Sequence, residues 1–223
     1  MLLLHSAVFT QSAATKDVPV RPAALRELHI GDRVPDLVVD NVLHYPGGTL
    51  KLSDFRGKLL ILDFMSTGCK SCILKLPAYD SVQKQYGDRL QILLVTSDEK
   101  KYTGDVWKRN KFLSRITLPV VTEDSALAAL FPHEVISHLA WIDAGGRVKA
   151  ITTPQYVNAG NIDRVLNNEA VRWPVKKDIL HFDRNIPLLE LYGNRPEYYS
   201  TLTGYMAVGE NTVLKLKRWM SFP

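Results

Sequence analysis

Cysteine is almost absent: two of the 223 residues, Cys69 and Cys72, carry a thiol. Any internal disulfide must therefore join these two, and closing so short a loop contributes little to stability. Their presence points to chemistry. A structural zinc site needs a second CxxC or two suitably spaced histidines, and the sequence offers neither. No stretch beyond the first residues is long enough and free enough of charge to span a membrane. A single basic stripe is also lacking. The formal charge of +5 is scattered over Lys100-Lys101, Lys108-Arg109, Lys176-Lys177 and Lys215 to Arg218, a solvated surface that argues against nucleic-acid binding. Apolar residues at 46% and charged residues at 23% are those of an ordinary globular protein.

What is present centres on Cys69-Lys70-Ser71-Cys72. The motif follows an apolar run, Leu59-Leu60-Ile61-Leu62-Asp63-Phe64, and opens a segment of helical spacing. A strand that delivers a CxxC to the first turn of a helix is the layout of a dithiol redox centre. The thiolate is the reactive species, and a helix start favours negative charge on the first sulfur. A three-residue offset places both sulfurs on one edge of that turn. The spacing predicts one helix from Cys69 to about Tyr86, with Leu74, Leu76, Tyr79 and Val82 inward and a kink at Pro77.

Around it, short strands are expected at 36–39 and 49–52, joined by the turn Tyr45-Pro46-Gly47-Gly48. A buried strand is expected at 91–96, helices at 105–113 and 125–131 (the latter capped by Asp124 or Ser125), and an extended piece at 118–121. Residues 139–142 and 148–152 form a hairpin, and 161–167 a closing helix. Alternating strands and helices predict an α/β protein: a mixed central sheet with helices on both faces and an N-terminal β-hairpin. Residues 1–14, apolar and then small, look like a secretory signal whose basic leader is missing, since no Lys or Arg precedes Lys16. Residues 15–29 read as a tether and 30–170 as the main domain. Residues 171–223 read as a C-terminal extension, aromatic but without a chemistry-bearing motif.

From Gly31 to about Asn167 the chain resembles the thioredoxin fold, in the manner of the extracytoplasmic TlpA/ResA-type thiol–disulfide oxidoreductases. The resemblance rests on Gly31-Asp32-Arg33-Val34-Pro35-Asp36, on Leu52-Ser53-Asp54-Phe55-Arg56-Gly57-Lys58, and on Asp63 six residues ahead of Cys69. It rests also on Pro77 five residues after Cys72, and on Trp141-Ile142-Asp143 followed by Gly145-Gly146-Arg147-Val148. It implies a thioredoxin-like three-layer sandwich and disulfide exchange with protein thiols, in an extracytoplasmic, periplasmic or membrane-tethered setting. It further implies an upstream electron donor and no cofactor beyond a redox-active Cys69–Cys72 disulfide. Asp63 is then the buried acid that accepts the Cys72 proton, and the backbone of Ile136 and Ser137 pairs with substrate. The chain departs from the family in three ways: Gly68 and Met65 replace the usual aromatic flank, Lys70-Ser71 separates the cysteines, and Ser137 takes the place of a cis-proline. A non-proline cis bond costs ~3–4 kcal/mol, so a trans bond is expected at Ser137.

Two other chemistries fit the same residues. Cys69, Cys72 and His138, with His133 as a substitute, would suit Cu(I) or zinc. Peroxide reduction ranks last, because Leu62 and Ser66 stand where peroxidases of this fold carry proline and threonine.

Overall fold

The computed structural model describes residues 25–180. The chain divides into units 1–180 and 181–223, and the second lies wholly outside the described residues, as do the signal-like residues 1–14 and most of the tether. A six-stranded mixed sheet organises the first unit. Its strands, in spatial order, are β2 (Val42–Leu43), β6 (Val120–Val121), β5 (Leu90–Val95), β4 (Leu59–Phe64), β7 (His138–Ile142) and β8 (Val148–Thr152). β4, β5 and β6 run parallel; β2, β7 and β8 are antiparallel to their neighbours. β4 lies at the centre and is buried throughout, which is why its sequence is almost continuously apolar.

Alternation along β4 builds two cores. Leu59, Ile61 and Met65 face one layer with residues of α2 (Leu76–Tyr86), α3 (Lys100–Arg109) and α5 (Ala159–Leu166). Leu60, Leu62 and Phe64 face the other, with α4 (Ala126–Leu130) and the N-terminal strands β1 (Val38–Val39) and β3 (Leu50–Lys51). The expected three-layer α/β sandwich with an N-terminal β-hairpin is present, as β1 pairs antiparallel with β3. Its connection also carries β2, which joins the main sheet edge. Asp124 caps α4 as expected, its carboxylate accepting from the Leu127 and Ala128 amides. Gly146, at φ +77°, lies so close to the Arg56 guanidinium that a Cβ there would clash. Arg56 donates to the Gly145 carbonyl at 2.7 Å, locking the hairpin turn to the segment that leads into β4.

Three expectations need correction. The helix predicted at 69–86 is two helices, α1 (Lys70–Ile73) and α2, because Pro77 has no N–H to offer the Ile73 carbonyl. Leu74, expected inward, falls in the break and is 69% exposed. The helix predicted at 105–113 starts five residues earlier, at Lys100, and Phe112 lies exposed beyond its end.

Residues 171–180, read from sequence as extension, lie on the domain. Trp173 packs 5.0 Å from Trp141 and 5.3 Å from Tyr156, and the Lys176 amide donates to the Ile151 carbonyl of β8. At the other end, Leu28 of the tether is buried and its amide donates to the Leu130 carbonyl.

Candidate active site

The site is assembled at the C-terminal end of β4, where the chain leaves the sheet through Met65-Ser66-Thr67-Gly68. That loop is pinned by Asp98, which follows β5. Its carboxylate accepts from the Thr67 amide at 2.7 Å, the Thr67 hydroxyl at 2.6 Å and the Ser66 hydroxyl at 3.2 Å. Burial alone would raise the Asp98 pKa; these hydrogen bonds outweigh it and hold the carboxyl below the usual range. Nothing in the local sequence around Asp98 marks it, since its partners lie some thirty residues away, at 31 and 32 positions.

Cys69 occupies the N-cap of α1 and is disulfide-bonded to Cys72, with the Cα atoms 5.3 Å apart. Cys69 is half-buried, whereas Cys72 is 1% exposed. The Cys72 amide donates to Cys69 Sγ at 3.2 Å, and the Ser71 hydroxyl lies 3.3 Å from the same sulfur. α1 has only four residues, so the long-helix field expected on Cys69 is replaced by these short-range contacts.

Asp63, near the end of β4, is buried. It is in phase with Ile61 and Met65, so it points toward the layer that holds Cys72. Burial pushes its pKa up to about 8, against smaller opposing effects of the Ser137 hydroxyl and the Lys75 charge. Its Oδ1 has no hydrogen-bond partner among the described residues, and neither has the buried Tyr79 hydroxyl on α2. Burial, together with the nearby Asp63, raises the Tyr79 pKa and keeps that hydroxyl protonated.

The Ile136–Ser137 peptide is cis, contrary to the trans bond expected there. Ser137 is brought to the cysteines, its hydroxyl donating to Cys72 Sγ at 3.4 Å. Ile136 and Val135 beside it are exposed. A contact sequence reasoning missed holds this loop from behind. Asp178 accepts from the Glu134 and Val135 amides at 3.0 and 2.9 Å, and pairs with Lys176 at 2.6 Å.

His138 is not brought to the cysteines, so the Cys69–Cys72–His138 metal site is corrected. On β7, Leu139 and Trp141 face the layer of Cys72, while Ala140 and Ile142 face the opposite layer. His138 is in phase with the second pair. It stacks on His133 at 4.9 Å and lies against Phe64, and Lys176 Nζ sits 3.3 Å from its Nδ1. Burial, reinforced by the Lys176 charge, holds its imidazole down at about 3 and neutral. Among the described residues no group of three or more His, Cys, Asp or Glu side chains is placed to hold a metal ion.

A CxxC disulfide following the central strand of a mixed sheet covered by helices, with a buried acid in that strand, defines a thioredoxin-fold redox protein. The chain belongs to the AhpC/TSA family, whose pattern matches residues 30–144, and within it to the TlpA/ResA-type redoxins. It is 31% identical over 129 residues to the thiol-disulfide oxidoreductase ResA of Geobacillus kaustophilus, covering 56% of this chain and 69% of ResA. It is 36% identical over 72 residues to the thioredoxin-like protein YneN of Bacillus subtilis, covering 31% of this chain and 41% of YneN. The match thus spans about two-fifths of one relative and two-thirds of the other. A solved structure described as a candidate thiol-disulfide oxidoreductase from Bacteroides vulgatus superposes with TM-score 0.51 at 26% identity. That superposition covers 62% of this chain and 97% of the other.

Proposed function

We propose that the protein is a thiol–disulfide oxidoreductase that exchanges disulfides with protein partners through Cys69 and Cys72. The observation that carries this reading is the asymmetry of the pair. One cysteine is partly exposed to solvent, and the other is buried. A reachable sulfur attacks or is attacked; a sealed one resolves the mixed disulfide from within. Asp63 accepts the Cys72 proton in one direction and returns it in the other. The exposed edge of residues 135–137, together with Leu74, forms the shelf on which the partner chain lies, with the backbone of Ile136 and Ser137 pairing with it.

The electrons come from an upstream thiol donor, and no cofactor other than the Cys69–Cys72 disulfide takes part. The partners are protein thiols and disulfides rather than nucleic acids. The setting is extracytoplasmic, periplasmic or membrane-tethered, where a disulfide persists, as the TlpA/ResA likeness suggests. No helix among the described residues is long and apolar enough to cross a membrane.

The test is turnover by the purified protein. With dithiothreitol as donor it should reduce a protein disulfide such as those of insulin well above the uncatalysed rate. Prior alkylation of the reduced protein at Cys69 should remove that activity. A rate equal to dithiothreitol alone would contradict the proposal.

A further inference from the structure

Ser137 acts on both groups whose protons must move. It precedes β7, in which Leu139 pairs with Asp63 of β4, so the serine approaches the sheet end from which the cysteines rise. Its hydroxyl donates to Cys72 Sγ at 3.4 Å, a sulfur buried from water. Asp63 Oδ1 is buried without a hydrogen-bond partner among the described residues, and the Ser137 hydroxyl acts on the Asp63 carboxyl. A serine hydroxyl is at once donor and acceptor, and its hydrogen rotates to suit its neighbours. Proline, the family's residue at this position, has neither property. We propose that the Ser137 hydroxyl is the proton relay between Asp63 and Cys72, a role that rests on the thiol–disulfide exchange reading above.

The relay works in both directions. When a partner thiolate attacks Cys69 Sγ, a partner–Cys69 disulfide forms and the Cys69–Cys72 bond breaks. The bonding electron pair leaves on Cys72 Sγ. Ser137 gives that sulfur its proton and takes one from the Asp63 carboxylic acid, leaving a Cys72 thiol and an Asp63 carboxylate. A second partner thiol then displaces Cys69, so the partner dithiol is oxidised and the protein disulfide reduced by two electrons. In the opposite direction the Cys72 proton returns through Ser137 to the carboxylate as Cys72 attacks Cys69 and expels the partner thiolate.

The groups facing Asp63 agree with this assignment. Tyr79 of α2 stays protonated and cannot act as base, and Lys75, between α1 and α2, contributes only a favourable charge. From α1 comes the cysteine pair itself. The flanking strands present Leu94 and Leu139, which are apolar.

The test compares the wild type with Ser137→Ala and Ser137→Thr. Oxidised protein is mixed rapidly with excess β-mercaptoethanol between pH 5.5 and 9.5. Opening of the disulfide is followed by acid quench, alkylation and mass spectrometry, and rates are corrected for the reagent's thiolate fraction. The corrected wild-type rate should fall as pH rises through about 8, where Asp63 loses its proton. Ser137→Ala should open roughly tenfold more slowly below that pH and lose the pH step, since a general acid has been disconnected. Ser137→Thr, which keeps the hydroxyl, should restore both the rate and the step.

An alanine variant that retains the step, at any rate, would overturn the relay and leave proton transfer direct or through water, with the exchange reading intact. A wild type whose disulfide does not open with the thiol would overturn both readings.

Discussion

Replacing Cys69 with serine is expected to reduce disulfide exchange to the background rate, a loss of roughly a thousandfold or more. A hydroxyl is not appreciably ionised near neutral pH and cannot form a disulfide, so neither attack nor mixed-disulfide formation survives. Replacing Cys72 should instead leave the first step and block the second. The Cys69 thiol, half-buried at the N-cap of α1, would still be met by a partner disulfide. The resulting mixed disulfide, with no resolving thiol beneath it, should accumulate stoichiometrically and be visible as an adduct by mass. In Cys69→Ser the remaining sulfur is 1% exposed and should form no adduct. Adducts on the Cys69→Ser protein and none on the Cys72→Ser protein would reverse the roles assigned here.

The second large effect is on stability. Asp63→Asn should stabilise the oxidised protein at pH 7 by on the order of 3 kcal/mol, measured by urea unfolding. The folded carboxyl titrates at about 8, against 3.8 as its ordinary value. Between those values the folded state holds a proton that the unfolded chain has released. The Asp63 contribution to stability therefore declines as pH rises, by up to about 1.4 kcal/mol per unit, and levels off above the folded pKa, while neutral His138 contributes the opposite slope below about pH 6.5. The asparagine variant removes this slope, so the two proteins should converge below about pH 4 and diverge toward pH 8. A difference between the two proteins that does not grow between pH 4 and pH 8, or an asparagine variant no more stable at pH 7, would refute the buried-acid assignment.

The cysteines, Asp63 and the fold that holds them could be read in the sequence because their signals are local. β4 is an unbroken apolar run interrupted by one acid, and the CxxC follows it directly. Other elements left no such trace. β2 has two residues, too few for any periodicity, and is defined by its antiparallel pairing with β6 at the sheet edge. The first half of α3, Lys100-Lys101-Tyr102-Thr103-Gly104-Asp105, has no apolar face, and its helicity depends on the packing of Trp107 and its neighbours. Pro77 was visible, but its consequence was a break that turned Leu74 outward rather than a kink.

At the site, the sequence could place His138 one residue from Ser137, but not on which face of the sheet either would fall. That depends on the register pairing Asp63 with Leu139. The register puts the histidine behind the sheet, against Phe64 and His133, while the Ser137 hydroxyl reaches Cys72 in front. The same holds for Asp178, whose grip on the Glu134 and Val135 amides spans more than forty residues of sequence, at separations of 44 and 43.

The most direct test of disulfide exchange is the reduction potential of the Cys69–Cys72 pair, measured by equilibrating the purified protein in glutathione and dithiothreitol redox buffers. The fraction reduced should follow a two-electron curve with a midpoint between roughly −270 and −120 mV, where CxxC exchange proteins operate. A pair that stays oxidised below about −300 mV would be a structural disulfide instead and would contradict the account.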